Sequence, residues 1–211
     1  MLARMTPREL FGEPAKARIK STVRAVESKT AAELVVTARH ASGNYRSADY
    51  LVGVLTAFCA LAVFLYYPEP FEFTFLPLEL FLAFGLGVAF SIALPPVRRL
   101  FLSRKRMHDE VLRSARSAFF DLGVGRTTGR TGILVFVSAF EKAAIIVPDV
   151  GVPKSEDLER AKDRVGQVMR TGDLSAFVTA VTEVGQELSL LLPRSANDEN
   201  ELPDDMREAA T

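Results

Sequence analysis

Two long apolar runs dominate the pattern of hydrophobic positions along the chain. The first, YLVGVLTAFCALAVFLYY at residues 50–67, contains no charged residue, and the second, at residues 76–96, contains only Glu79. A helix needs about 20 mainly apolar residues to cross the hydrocarbon core of a bilayer. The alternative, a pair of buried core helices, demands more interior than a small domain has. We therefore predict two transmembrane helices, at 50–67 and 76–96.

Outside these runs, the spacing of apolar positions indicates shorter elements of a soluble domain. Helical spacing predicts four helices, at 13–29, 105–122, 155–170 and 174–192. Runs rich in β-branched residues predict three strands, at 33–39, 132–138 and 143–147. Ser155 and Asp173 are expected to cap the last two helices, and Gly123 is expected to end the second one.

The strand segments ELVV and ILVFV are apolar on both faces at their centres, which is typical of strands in a sheet covered by helices on both faces. A helix precedes the second segment, so a right-handed crossover and parallel pairing are expected. A tight turn makes 132–138 and 143–147 antiparallel. We predict one α/β domain with a small mixed sheet, formed by residues 13–40 and 105–193 and interrupted by a two-helix transmembrane hairpin. The acidic tail at 194–211 is predicted to be disordered.

Charge is unevenly distributed around the apolar runs. The chain has 26 basic and 26 acidic residues, which disfavours a nucleic-acid partner. The segment between the runs, PEPFEFTFLP, has two glutamates and no basic residue, whereas five basic residues lie between 98 and 106. The positive-inside rule therefore predicts a multi-pass protein with both termini and the soluble domain in the cytoplasm. Because residues 1–20 lack the apolar core of a signal peptide, the membrane signal is expected to be internal.

The order of these motifs resembles the TPM domain family, named for thylakoid-lumen, photosystem-repair and nematode receptor-auxiliary proteins, and most of all its bacterial subgroup with an inserted transmembrane hairpin. The residues that carry the resemblance are Thr30, Glu33, Leu34, Thr131, Gly132, Ser138, Glu141, Asp149, Gly151 and the tail motif Asn200, Glu201, Leu202, Pro203. It covers residues 15–203 and implies a three-layer α/β/α sandwich, with divalent-cation binding and a proposed acid-phosphatase activity in some members.

The resemblance also bears on function and location. It implies a membrane-anchored interaction or assembly and maintenance module in a bacterial inner membrane, with the lipid bilayer and another membrane protein as partners. The alternative functions are a phosphatase that depends on a divalent cation and a purely structural membrane protein.

One end of the predicted sheet collects oxygen-bearing side chains. The predicted pairings bring Asp149, Glu33 and Thr131 to this end, together with Arg130. Carboxylate and hydroxyl oxygens suit Ca²⁺ or Mg²⁺, so Asp149, Glu33 and Thr131 are candidate metal ligands. The alternative is turn chemistry, in which Asp149 accepts hydrogen bonds from the backbone of the Gly151 turn and Glu33 pairs with an arginine.

No catalytic residue is identified by motif. The single cysteine, Cys59, lies in the middle of the first apolar run, where a catalytic thiol is not expected. The loop GVGRTTG at 123–129 precedes a strand and lacks the spacing of nucleotide-binding loops. With one cysteine and two histidines, a zinc site is not expected either.

Overall fold

The computed structural model describes residues 12–67, 73–194, 201–202 and 207–208. The described chain divides into two compact units. Residues up to Ser42 and from His108 onward form the first, which we call the α/β unit, and Gly43–Met107 form the second, which we call the helical unit. Two segments that are 65 residues apart in sequence therefore fold into one unit.

The described elements are, in chain order, α1 (Glu13–Glu27), β1 (Leu34–Arg39), α2 (Arg46–Tyr66), α3 (Leu76–Ala93), α4 (Pro95–Leu100), α5 (Arg104–Asp121), β2 (Ile133–Ser138), β3 (Ala143–Pro148), α6 (Glu156–Thr171), α7 (Leu174–Leu191) and β4 (Arg207–Glu208). Short 3-10 turns occur at Phe73–Phe75 and Val124–Arg126. All nine predicted helices and strands are therefore present, with ends that shift by at most four residues.

The strands form a small mixed sheet in the order β3-β2-β1-β4. Ile133 at the start of β2 lies opposite Leu34 of parallel β1 and opposite Pro148 of antiparallel β3. Strand β4 has two residues and pairs in parallel with β1 at Thr37 and Ala38. The predicted pairings of the three main strands, and the mixed α/β class with a small mixed sheet, are confirmed.

Side chains of the sheet are buried on both faces. On β2, Val135 and Val137 belong to a cluster with α1, α6 and α7, whereas Leu134 and Phe136 belong to a second cluster with α5. Burying each such side chain stabilises the fold by roughly 1.5–3 kcal/mol relative to exposure. This burial on both faces explains why the segment ILVFV is apolar throughout.

Capping residues lie at the starts and ends of helices where the sequence predicts them. The Ser155 hydroxyl accepts a hydrogen bond from the amide of Leu158 at 3.0 Å, and the Asp173 carboxylate accepts from two amides of the first turn of α7. Gly123, with a φ of 68°, follows α5 in the left-handed conformation that glycine adopts without strain. The three predicted caps are confirmed.

In the helical unit, α2 and α3 pack closely through glycines. A Cβ placed on Gly53 would meet the side chains of Phe84 and Val88 at 2.8 Å, and one on Gly87 would meet the side chain of Thr56. Large apolar side chains that face away from this contact are exposed, among them Leu65, Phe81 and Leu86. By length and composition, both helices could cross a membrane, which supports membrane association.

The prediction of a disordered tail at 194–211 is wrong for the five tail residues that the structure describes. Arg194 donates from its guanidinium to the carbonyl of Glu27 at 3.1 Å. Glu201 and Leu202 bind the Glu33 carboxylate through their amides, and Leu202 packs against the cluster that includes α5. Arg207 and Glu208 form β4. The tail is polar, but its amides find acceptors on the sheet and its leucine finds an apolar surface. The other tail residues, at 195–200, 203–206 and 209–211, are not among the described residues. The same holds for residues 68–72 of the acidic segment between the apolar runs.

Candidate functional site

An ion pair with two hydrogen bonds joins Arg130 to Asp149 at the end of the sheet. The Nε atom of Arg130 lies 2.7 Å from Oδ2 of Asp149, and its Nη2 atom lies 3.0 Å from Oδ1. The amide of Val150 donates to the same Oδ1 atom at 2.8 Å. The Asp149 side chain is 3% exposed and that of Arg130 is 55% exposed. A buried carboxylate is thus neutralised by a two-point contact from a guanidinium that reaches solvent.

Backbone geometry holds the two loops of this pair together. Arg130 has a φ of 54°, in the left-handed region that costs a residue with a side chain roughly 1–2 kcal/mol. The amide of Gly151 donates to the carbonyl of Arg130 at 2.8 Å, and the amide of Asp149 donates to the carbonyl of Gly132 at 2.9 Å. A Cβ on Gly151 would collide with the carbonyls of Gly129 and Arg130, so this approach requires glycine.

The ion pair sets the protonation state of Asp149. The hydrogen bond from Arg130 lowers the pKa of the Asp149 carboxyl below its ordinary value; burial raises it, and the Val150 amide lowers it further. The same contact raises the pKa of Arg130. Asp149 is therefore an ionised, hydrogen-bonded carboxylate at neutral pH.

The other two predicted site residues lie at the same end of the sheet. The carbonyl of Glu33 accepts from the amide of Ile133 at 2.8 Å, while its carboxylate accepts from the amides of Glu201 and Leu202 at 3.2 and 3.3 Å. The Thr131 hydroxyl donates to the carbonyl of Ala31 at 3.1 Å. The predicted grouping of Glu33, Thr131 and Asp149 at one sheet end is confirmed.

Metal binding by Asp149, Glu33 and Thr131 stays a prediction. Within the described part of the chain, no group of three or more His, Cys, Asp or Glu side chains is arranged to hold a metal ion. Both oxygens of Asp149 already accept hydrogen bonds, and the positive charge of the Arg130 guanidinium beside them would repel Ca²⁺ or Mg²⁺. The arrangement fits the turn alternative for Asp149 through the Val150 amide, and adds an arginine partner to it.

The tail contributes a contact that sequence reasoning missed. The Glu201 carboxylate accepts hydrogen bonds from the amide and the hydroxyl of Thr128, at 2.9 and 3.1 Å. Glu33 and Glu201 together connect the start of β1, the tail and the loop that carries Arg130. The tail motif with Glu201 and Leu202 was a usable signal, but its acidic surroundings favoured the interpretation of a disordered segment.

A second polar cluster lies at the opposite end of the parallel strands. The hydroxyl of Ser42 donates to the Ser138 hydroxyl at 2.8 Å, and Ser138 donates to the Glu141 carboxylate. Glu141 also accepts from the amide of Ser42 at 2.9 Å, and Ser114 donates to the Ser42 carbonyl at 3.0 Å. These bonds tie the segment after β1 to the β2–β3 turn, and their mutual satisfaction indicates a structural role.

The helical unit has its own buried ion pair, between Asp49 of α2 and Arg98 of α4. The Arg98 guanidinium lies 2.8 Å from Oδ2 of Asp49, and the hydroxyl of Ser91 donates to Oδ1 at 2.8 Å. Asp49 is 2% exposed. An acid at the start of an apolar run, with an arginine just after the next run, is the sequence signal that could have predicted this contact.

Comparison with known proteins yields a likeness of fold. No protein-family model matches the chain, and no curated protein matches it. Among solved structures, the chain is similar to the NMR structure of the BA42 protein from the psychrophilic bacterium Bizionia argentinensis, with a TM-score of 0.56 and 14% sequence identity. The match covers 94% of each chain. At this identity, the similarity concerns the fold.

Proposed function

We propose that the protein is a membrane-anchored interaction or assembly module at a bacterial inner membrane, with a TPM-like, three-layer α/β/α sandwich as its soluble part. The observation that carries the proposal is the parallel pairing of Leu34 with Ile133. The two residues are neighbours in the sheet, but along the sequence they are separated by two helices that are long and apolar enough to cross a bilayer. Two crossings return the chain to the side from which it started, so a single sheet can form from both flanks.

The distribution of charge supports an orientation for this anchor. Basic residues lie before and at the start of α2 and follow α3, whereas the sequence between the helices is acidic. Cytoplasmic loops near membrane spans carry an excess of lysine and arginine. In the proposed topology, the α/β unit and both termini are cytoplasmic and the segment between the helices is outside.

The surface around Asp149 suits contact with another protein. Arg130 is fixed by the ion pair and yet half-exposed, and the neighbouring Val150 is 82% exposed. A preorganised arginine next to an exposed apolar side chain is a common composition for a contact surface. A second membrane protein is the proposed partner.

Site-specific photo-crosslinking in membranes tests the interaction proposal. A photoreactive residue in place of Val150 should give a discrete adduct with a membrane protein, and Arg130→Gln in the same chain should remove it. The same photoreactive residue in place of exposed Arg170 is the control position. Adducts that are equal at both positions, or that persist without Arg130, would contradict a contact surface built on the ion pair.

The alternative is a phosphatase that depends on a divalent cation, which the common location of Asp149, Glu33 and Thr131 favours. It requires that Ca²⁺ or Mg²⁺ bind the full-length protein and support hydrolysis of a phosphate ester. The matched control is Asp149→Asn. Cation-dependent turnover that this change abolishes would favour the enzyme over the interaction module.

A further inference from the structure

Exposed positive charge is concentrated at one end of the helical unit. Arg46 at the start of α2 and Arg104, Lys105 and Arg106 at the start of α5 are all exposed. We call these four residues the basic patch. None of them forms an ion pair within the described residues, so no carboxylate in that part of the chain contacts their charges. Such a concentration is costly unless an anion or water compensates it.

The acid that follows Arg46 on α2 is already engaged. Asp49 is buried and binds Arg98 and Ser91, both at 2.8 Å. Its charge therefore offsets that of Arg98 and does not neutralise the four exposed cations. Residues 43–49 and 95–107 contain six basic residues and this one acid.

Neutral groups hold Arg106 in place. Its Nη1 atom donates to the Ser47 hydroxyl at 3.1 Å, its Nη2 atom lies 3.5 Å from the carbonyl of Asn44, and its guanidinium lies 6.0 Å from the ring centroid of Tyr45. Tyr45 is fully buried and also has Arg98 over its ring. Arg106 thus brings the start of α5 beside the start of α2 and keeps its full charge.

Apolar side chains border the basic patch. Tyr50, four residues after Arg46 on α2, is 53% exposed, and Leu100 at the end of α4 is 80% exposed. Tyrosine is enriched where a membrane protein meets the lipid headgroups, and an exposed leucine suits the adjoining acyl chains. A free phosphate ion would use only the cations, whereas a phospholipid would use both kinds of group.

We propose that the basic patch binds the phosphate-bearing headgroups of anionic phospholipids in the leaflet on this side of the membrane. The proposal rests on the proposed function, in which α2 and α3 cross the bilayer. Guanidinium groups suit this ligand because their N–H groups match two phosphate oxygens at once. Arg106 is the central residue of the site, since it is positioned before the lipid arrives.

Electron spin resonance of spin-labelled lipids tests the proposal directly. The full-length protein is reconstituted into phosphatidylcholine vesicles with either spin-labelled phosphatidylglycerol or spin-labelled phosphatidylcholine, and the motionally restricted fraction of each is compared. The wild type should prefer the anionic lipid, and added salt should weaken that preference. Each charge removed should lower it by at most about fivefold. Arg106→Gln should show a loss of this kind, and Arg106→Lys should retain most of the preference.

A matched pair of fourfold variants separates the basic patch from charge in general. Replacing Arg46, Arg104, Lys105 and Arg106 by glutamine should bring the anionic lipid close to phosphatidylcholine. Replacing four exposed basic residues of the α/β unit by glutamine should leave the preference unchanged; these are Arg116, Arg126, Lys154 and Arg170.

Two results would overturn the lipid inference while leaving the membrane anchor standing. One is a fourfold patch variant that still prefers phosphatidylglycerol as the wild type does. Its resistance to alkaline extraction would show that it is still anchored in the vesicles. The other is loss of the preference on adding inorganic phosphate at constant ionic strength, which would assign the patch to free phosphate. Release of the wild type itself by alkaline extraction would overturn the membrane anchor and the lipid site together.

Discussion

Arg130 binds both carboxylate oxygens of Asp149, at 2.7 and 3.0 Å, from a backbone conformation that is unfavourable for arginine. The two residues come from separate loops at one end of the sheet, and Gly151 lets these loops touch. The ion pair therefore neutralises the buried charge of Asp149, while the backbone of Arg130 is strained. This combination makes the pair the most informative place to test the account of the α/β unit.

Removing either partner should cost stability unequally. Arg130→Gln leaves a buried carboxylate without its cation and should lower the free energy of unfolding by about 2 kcal/mol. Asp149→Asn keeps one oxygen acceptor and leaves an arginine that water can reach, so about 1 kcal/mol is expected. Denaturant unfolding of the α/β unit, followed in the full-length protein by circular dichroism, measures both; Arg126→Gln is the control. A larger loss for Asp149→Asn would contradict the burial assignment.

The backbone strain at Arg130 can be separated from its charge. Arg130→Gly and Arg130→Ala both remove the guanidinium, but only glycine adopts a φ of 54° without strain. The glycine variant should be more stable than the alanine variant by about 1 kcal/mol. At Lys154, an exposed loop position, the same two substitutions should give the opposite order or no difference. Equal stability of the two Arg130 variants would show that the loop relaxes without cost.

The ion pair also predicts how stability depends on pH. The folded state lowers the pKa of Asp149, so its contribution is fully present above the pKa of the unfolded chain and is lost as pH falls through the folded value. The stability difference between wild type and Asp149→Asn should stay constant near neutral pH and shrink only below about pH 4. Unfolding curves at a series of pH values test this. A difference that shrinks already between pH 7 and 5 would contradict a lowered pKa.

Glu33 should hold the tail in place. Glu33→Ala removes the acceptor for the amides of Glu201 and Leu202, and these amides should then exchange with solvent at least about tenfold faster. Hydrogen exchange read by mass spectrometry on a peptide that contains both residues provides the measurement. Glu13→Ala, which removes an exposed acid of α1, is the matched control. Unchanged exchange in the Glu33 variant would mean that Leu202 packing alone secures the tail.

Much of the α/β unit follows from the sequence because its signals are local. The ILVFV segment indicates a strand buried on both faces, and Ser155 and Asp173 mark helix starts through hydrogen bonds to the next few amides. The parallel pairing followed from the general handedness of crossovers, without knowledge of any particular contact. The same reasoning brought Asp149, Glu33 and Thr131 to one end of the sheet.

The contacts between distant residues could not be predicted in the same way. The partner of Asp149 depends on a positive φ at Arg130, which sequence alone rarely indicates for a residue other than glycine. The Asp49–Arg98 pair joins residues on two different helices. Docking of Glu201 and Leu202 requires the finished end of the sheet, so a segment with the composition of a disordered tail acquires a defined place.

Thiol labelling tests the central claim, that one cytoplasmic α/β unit is built from the two flanks of a membrane-crossing helix pair. In a Cys59→Ser background, which removes the only cysteine, Thr74→Cys and Lys154→Cys each introduce one exposed thiol. A membrane-impermeant maleimide should label the first variant in intact bacterial spheroplasts and the second only after permeabilisation. Labelling of Lys154→Cys in intact spheroplasts, with Thr74→Cys protected or equally labelled, would contradict the claim.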